Sequence, residues 1–129
     1  MIESLIAGLM PLLIQVESSG QNGLVGDKDR YHKAYGPLQI RQPVCDDYNR
    51  VHGTKVQAQD CRHDLRLSKK ICRWYLKFYA AEKHLGRKPT IEDCARIWNG
   101  GPDGWREGKT KPYWAKVKRE LNKKKEGGY

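Results

Sequence analysis

The sequence predicts an α+β fold, mainly α, with one small β-hairpin. Three observations carry that expectation. Apolar residues recur at helical spacing through residues 2–16 and 65–84. Two short apolar runs, Leu24-Val25-Gly26-Asp27 and 34–40, flank a polar turn, which is the pattern of a hairpin. A length of 129 residues suits a single domain, 1–129, large enough for one hydrophobic core.

In the first helix, Leu5, Ile6, Leu9, Leu12, Leu13 and Val16 make the buried face. Ser18-Ser19-Gly20 stops it, because glycine suits a C-terminal turn and serines disfavour continuation. Glu17 is thereby placed where an apolar helix end meets a cleft or solvent. Gln21-Asn22-Gly23 turns the chain into the hairpin, whose connection is the polar run Lys28-Asp29-Arg30-Tyr31-His32-Lys33. Such a hairpin is too small to stand alone and must lean on helices. Gln42-Pro43 opens a second helix to about Val51, since proline is tolerated in a first turn, and His52-Gly53 ends it.

Residues 54–60 read as a polar loop. The third helix, 65–84, is expected to bury Leu65, Ile71, Trp74, Tyr75, Phe78 and Tyr79 and to stop at Gly86. Pro89-Thr90 starts the next helix, with Thr90 as N-cap and Glu92 and Asp93 complementing the helix dipole. It carries Ala95, Ile97 and Trp98 and ends at Asn99-Gly100-Gly101-Pro102. Residues 103–110 read as loop, 112–121 as a last amphipathic helix, and the basic tail from about 122 as frayed.

The net charge is +10, a field that draws a protein to polyanions. The basic residues spread over 62–73 and 109–125 without a nucleic-acid motif, so a nucleic-acid module is the weaker reading. No stretch predicts a membrane span. Residues 2–16 carry Glu3 instead of a basic start, and Pro11 and Gln15 interrupt them, so they read as a helix of the domain and not as a targeting segment. Cys45, Cys61, Cys72 and Cys94 form an even set without Cys-x-x-Cys pairs. That argues against a zinc site and for two disulfides in an exported protein, with three connectivities open. No metal or cofactor is implied.

Several stretches together resemble one family. Glu17-Ser18-Ser19-Gly20, then the acidic hairpin, then Tyr35-Gly36-Pro37-Leu38-Gln39-Ile40 with Gln42-Pro43, resembles the active-site half of lysozyme-like proteins. Ala95-Arg96-Ile97-Trp98-Asn99-Gly100-Gly101-Pro102, with Gly104, Thr110 and Tyr113-Trp114-Ala115-Lys116-Val117, is similar to the C-terminal half of invertebrate-type, destabilase-like lysozymes. The resemblance covers about residues 15–117. The chain departs from that family in having few cysteines; in this it is similar to bacterial goose-type lysozyme and lytic transglycosylase relatives.

The resemblance implies a lysozyme-like fold with the hairpin beside an active-site cleft. Glu17 would be the general acid: a carboxyl beside apolar walls has its charged form disfavoured and keeps its proton near neutral pH. Glycosidic cleavage usually needs a second carboxylate. The resemblance makes Asp27 and Asp29 both candidates: Asp29 keeps the family's ungapped spacing from Glu17 and to Gly36, Asp27 ends the Val25-Gly26 strand where the goose-type branch has a Gly-Asp pair, and Asp27 is slightly favoured. Tyr35, Gln39, Asn99 and the Gly100-Gly101 backbone are the expected sugar contacts, and Trp98 and Trp105 offer ring faces for stacking.

The implied activity is cleavage of the β-1,4 bond between N-acetylmuramic acid and N-acetylglucosamine in peptidoglycan. The alternatives are a lytic transglycosylase, a chitinase and, in a different class, a non-catalytic wall-glycan binder. The implied setting is a secreted, cell-wall or periplasmic monomer.

Overall fold

The computed structural model describes residues 1–27 and 31–127. Asp29 and its neighbours Lys28 and Arg30 lie outside the described residues. Six helices and one antiparallel strand pair are seen among the described residues: α1 (Ile2–Ser18), β1 (Val25–Gly26), β2 (Ala34–Tyr35), α2 (Gln42–His52), α3 (Leu65–Tyr79), α4 (Glu82–Leu85), α5 (Ile91–Gly100) and α6 (Lys111–Lys125). Short 3-10 turns at Ala58–Cys61, Gly104–Arg106 and Gly108–Thr110 fill the connections. The chain forms two compact units, one of Met1–Val16 with Leu76–Tyr129, the other of Glu17–Tyr75.

In the first unit, the stripe anticipated on α1 is buried: Ile6, Leu9, Leu12 and Leu13 are all at most 1% exposed, while Leu5 is only half-buried. The helix passes through Pro11 and runs two residues beyond Val16. Leu76, Ala80, Leu85, Ala95, Ile97 and Val117 complete the core of this unit. Helix α5 starts on a full capping box. Asp93 N–H donates to the Thr90 hydroxyl, and the Asp93 carboxylate accepts from the Thr90 N–H in return. Arg87 adds a two-pronged ion pair to the same carboxylate, at 2.6 and 2.8 Å. Burial alone would raise the Asp93 carboxyl, but the Arg87 and Thr90 hydrogen bonds outweigh it and hold the group below the usual carboxylate range.

Arg96 is also buried, and each of its three guanidinium nitrogens makes a hydrogen bond. It donates to the Thr110 hydroxyl (2.8 Å), to Glu92 (2.8 Å) and to the Glu107 carbonyl (2.9 Å), fixing the loop between α5 and α6. Gly104 lies so close to the Arg96 carbonyl that a Cβ there would sit 2.1 Å from the oxygen.

In the second unit, Ala34, Leu38, Ile40, Cys45, Ala58, Cys61, Ile71 and Cys72 are buried. The hairpin pairs Val25 with Tyr35 and Gly26 with Ala34, and Tyr35 then bridges Ile40 across a tight turn. Each strand is therefore two residues long, shorter than the apolar runs 24–27 and 34–40 suggest, because residues 36–39 turn instead of extending. Gly36 (φ 81°) presses against the Cys61 backbone, where an added Cβ would meet the carbonyl oxygen at 2.2 Å.

Four further expectations change. The single long helix over 65–84 is two helices, because Ala81 takes an extended conformation (φ −90°, ψ 148°) and begins α4 afresh. Leu65 and Phe78 are exposed; the buried row of α3 runs instead through Ser68, Ile71, Cys72, Tyr75 and Leu76. Helix α6 continues to Lys125, past the expected fraying point at 122. The disulfides are not formed: Cys45, Cys61, Cys72 and Cys94 are all buried thiols with zero exposure. Each packs as a small hydrophobe, a role an even count of cysteines cannot reveal. The Cys45 thiol is held protonated by its hydrogen bond with Cys61 and by burial, and burial pushes the Cys94 thiol up to about 12.

Candidate active site

Helix α1 delivers Glu17 as its penultimate residue, half-buried. The helix ends because Ser19 (φ 54°) and Gly20 (φ 81°) both turn left-handed, and the Ser18 carbonyl accepts from Gln21 N–H at 3.0 Å. Ser18 is only 4% exposed, and its hydroxyl donates to the Pro37 carbonyl at 2.8 Å. The end of the helix is thus fastened to the turn 36–39 immediately after the candidate acid.

Gln39 holds that turn from the other side. Its amide N–H groups reach the Gly36 carbonyl (2.9 Å) and the Leu24 carbonyl (3.2 Å), tying the two arms of the hairpin together. Its backbone is left-handed (φ 52°), and a Cβ at Gly26 would come within 2.2 Å of its side-chain oxygen. Gln39 was expected to contact sugar; the structure shows its amide nitrogen engaged in holding the hairpin. Tyr35 lines a hollow of about 200 Å³ with Tyr31, Lys33 and Gln42.

Asp27 is exposed and also left-handed (φ 53°). Its carboxylate is ion-paired with Arg41, whose other guanidinium nitrogen donates to the His32 carbonyl at 2.6 Å. Arg41 is the residue before α2, so the N-cap of that helix clasps Asp27 and His32 on either side of the hairpin connection. Among the described residues, three non-glycine residues with positive φ, Ser19, Asp27 and Gln39, lie on the segment that follows Glu17. Backbone strain of this kind gathers at functional sites.

The remaining sequence candidates lie in the other unit. Trp98 is buried at 9% exposure, Asn99 is exposed at the end of α5, and Gly101 closes the helix with φ 91°, its N–H bonded to the Ile97 carbonyl at 2.8 Å. Gly100 has a packing reason to be glycine, since a Cβ would meet the Thr110 methyl at 2.4 Å. The guanidinium carbons of Arg87 and Arg106 each lie over the Trp105 ring, 5.5 Å from its centroid, where a sugar face would otherwise stack. Among the described residues no cluster of His, Cys, Asp and Glu is arranged to hold a metal ion, and no helix is long and apolar enough to cross a membrane.

The sequence pointed to Glu17 by position, but it missed Arg41 and the anchoring role of Ser18. Both depend on contacts 14 to 19 residues away, which leave no local signal.

The chain resembles known proteins in sequence and in fold. The chain is 35% identical over 89 residues to a lysozyme of Magallana gigas, covering 69% of this chain and 61% of the relative. It is 29% identical over 102 residues to an invertebrate-type lysozyme of Ruditapes philippinarum, covering 79% of this chain and 71% of the relative. Its fold superposes on the crystal structure of Tapes japonica lysozyme with a TM-score of 0.69 at 27% identity, covering 84% of this chain and 85% of the other. The chain is thus similar in sequence to invertebrate-type lysozymes and in fold to solved lysozymes. A chain from the crystal structure of Aeromonas hydrophila PliI in complex with Meretrix lusoria lysozyme matches with a TM-score of 0.71 at 25% identity, covering 86% of each chain. No protein-family model matches the sequence. The mainly helical lysozyme-like fold with one small hairpin is as the sequence predicts, although this lysozyme-like chain spans less than two thirds of the Magallana relative's length.

Proposed function

We propose that this lysozyme-like chain is a glycoside hydrolase that cleaves the β-1,4 bond between N-acetylmuramic acid and N-acetylglucosamine in peptidoglycan, working as a single catalytic domain. The observation that carries the reading is the placement of Glu17. It stands half-buried at the end of α1, and the next side chain is pinned to the turn of the hairpin that shares its unit. A carboxyl held in that way protonates a leaving oxygen without losing time to reorientation. The setting that goes with this activity is a secreted or wall-associated monomer with antimicrobial action. Asn99, Trp98 and the Gly100-Gly101 backbone remain the proposed sugar contacts of the other unit, and Tyr35 that of the hairpin.

The partner carboxylate decides the chemistry. A nucleophile stands roughly 5 Å from the acid and gives retention; a base that activates water stands further off and gives inversion. The ion pair between Asp27 and Arg41 favours a path in which Asp27 is not the attacking group. That leaves Asp29, or the substrate's own N-acetyl oxygen, which yields the anhydro-sugar end of a lytic transglycosylase.

Glu17→Gln tests the central assignment. The amide keeps the shape and cannot donate an acid proton, so cleavage of purified peptidoglycan is expected to vanish while glycan binding persists. Mass spectrometry of the wild-type products separates reducing ends from anhydro ends. Near-wild-type turnover by the variant would remove Glu17 from the mechanism.

A further inference from the structure

The positive charge of the chain is concentrated on one helix. Helix α6 carries seven cations, Lys111, Lys116, Lys118, Arg119, Lys123, Lys124 and Lys125, against the single carboxylate of Glu120. That is a net of six out of the chain's ten excess positive charges. All seven side chains are exposed, and among the described residues only Lys123 is ion-paired, to Glu120 at 3.2 Å. They are ordered by the helix. Lys116, Arg119 and Lys123 follow one another at three- and four-residue steps along one side. Lys111, Lys118 and Lys125 recur at seven-residue steps on another, a row roughly 20 Å long at 1.5 Å per residue. Self-repulsion on this scale costs stability, and Glu120 is the single carboxylate on α6 to offset it.

We propose that α6 is a docking surface for a flexible phosphodiester polymer of the kind carried by bacterial walls. The rows offer point charges at regular spacing, which suits a repeating anion. Among the described residues of α6 no aromatic ring is fully exposed for a base to stack on: Tyr113 is buried and Trp114 half-buried. The exposed face also lacks an apolar stripe to enter a bilayer, since Val117 is buried and Leu121 half-buried, leaving lysine, arginine, asparagine and alanine outward. A nucleic acid and a lipid surface are therefore the poorer fits. This surface rests on the wall-degrading function proposed above and deepens it: the helix holds the enzyme on its insoluble substrate.

The test uses a soluble glycerol-phosphate polymer as probe, with duplex DNA of equal charge and phosphatidylglycerol vesicles as competitors. The triple variant Lys116→Gln, Arg119→Gln, Lys123→Gln is set against a control of the same charge change on α3, Arg66→Gln, Lys70→Gln, Arg73→Gln, all exposed. Each phosphate contact contributes roughly 0.7 to the slope of log affinity against log salt for a single-stranded polyanion. The α6 variant is expected to lower that slope by about 2 and the α3 control to leave it unchanged. Equal losses in both variants would reduce the surface to bulk charge and overturn the proposal. Tighter binding of DNA or of vesicles than of the polymer overturns the choice of partner.

Cleavage of a neutral N-acetylglucosamine oligomer is followed in parallel. The expected result is unchanged oligomer cleavage in the α6 variant with slower clearing of intact walls. Absence of oligomer cleavage by the wild type, with polymer binding intact, would instead count against the enzymatic reading alone.

Discussion

The Ser18 hydroxyl donates a buried 2.8 Å hydrogen bond to the carbonyl of Pro37, nineteen residues along the chain. Ser18 follows Glu17, so the bond sets where the last turn of α1 ends relative to the hairpin. Ser18→Ala leaves that carbonyl buried and unpaired, at a cost of about 1–3 kcal/mol. The expected outcome is that loss of stability by denaturant titration together with a fall in kcat and little change in KM. A variant that loses stability but keeps kcat would show the bond to be structural only.

Arg41 and Asp27 make a second tie, half-exposed at 33% and 44% of their side chains. An ion pair so open to water contributes at most about 1 kcal/mol. Arg41→Ala, Asp27→Asn and the double variant are therefore expected to fold with nearly wild-type stability. Their effects on kcat are expected to coincide and not to add, because either change releases the same clasp. A double-mutant cycle on cleavage rates measures this. A loss on the order of 10²-fold from Asp27→Asn alone, with Arg41→Ala silent, would mark Asp27 as a participant in the chemistry.

Gly100 separates two explanations of the Asn99-Gly100-Gly101 sequence. A methyl group there would sit 2.4 Å from the methyl of Thr110, a fully buried residue of the α5–α6 loop. Overpacking of this kind costs about 1–3 kcal/mol. Gly100→Ala is expected to lower the melting temperature, with affinity for N-acetylglucosamine oligomers preserved in the folded fraction. Weaker oligomer binding at full stability would favour a direct sugar contact.

Asp93 makes the first unit sensitive to acid. Its carboxyl lies below the usual range when folded, held there by Arg87 and Thr90 against the opposing effect of burial. The unfolded chain therefore binds a proton more readily, and stability rises with pH through that range. The contribution is fully present above the unfolded value of about 3.9 and is lost as pH falls through the lower folded value. Asp93→Asn is expected to be less stable than wild type at pH 7, with the gap closing below about pH 4. A constant gap from pH 7 to pH 2 in thermal unfolding would remove the ion pair from this account.

Local signals were the legible ones. The stripe Ile6, Leu9, Leu12, Leu13 announces α1 because helical periodicity repeats over about two turns, and Thr90 with Asp93 announces α5 because a capping box is complete within four residues. Glu17 and the hairpin were placed by adjacency to such signals. The break at Ala80-Ala81 was invisible, since alanine is a strong helix former and no glycine or proline marks the interruption. The engagement of the Gln39 amide nitrogen was equally hidden, because its partners, the Leu24 and Gly36 carbonyls, come beside it only in the fold. Cys45 and Cys61 could be counted but not assigned a state, because oxidation depends on geometry that spacing does not encode.

The burial of the thiols gives this protein internal reporters of its own opening. A thiol with no exposure does not react with an alkylating reagent until the structure around it opens. Cys45, Cys61 and Cys72 lie in one unit and Cys94 in the other. Labelling rates resolved by peptide would therefore read the opening free energy of each unit separately, in the unmodified protein and during contact with substrate.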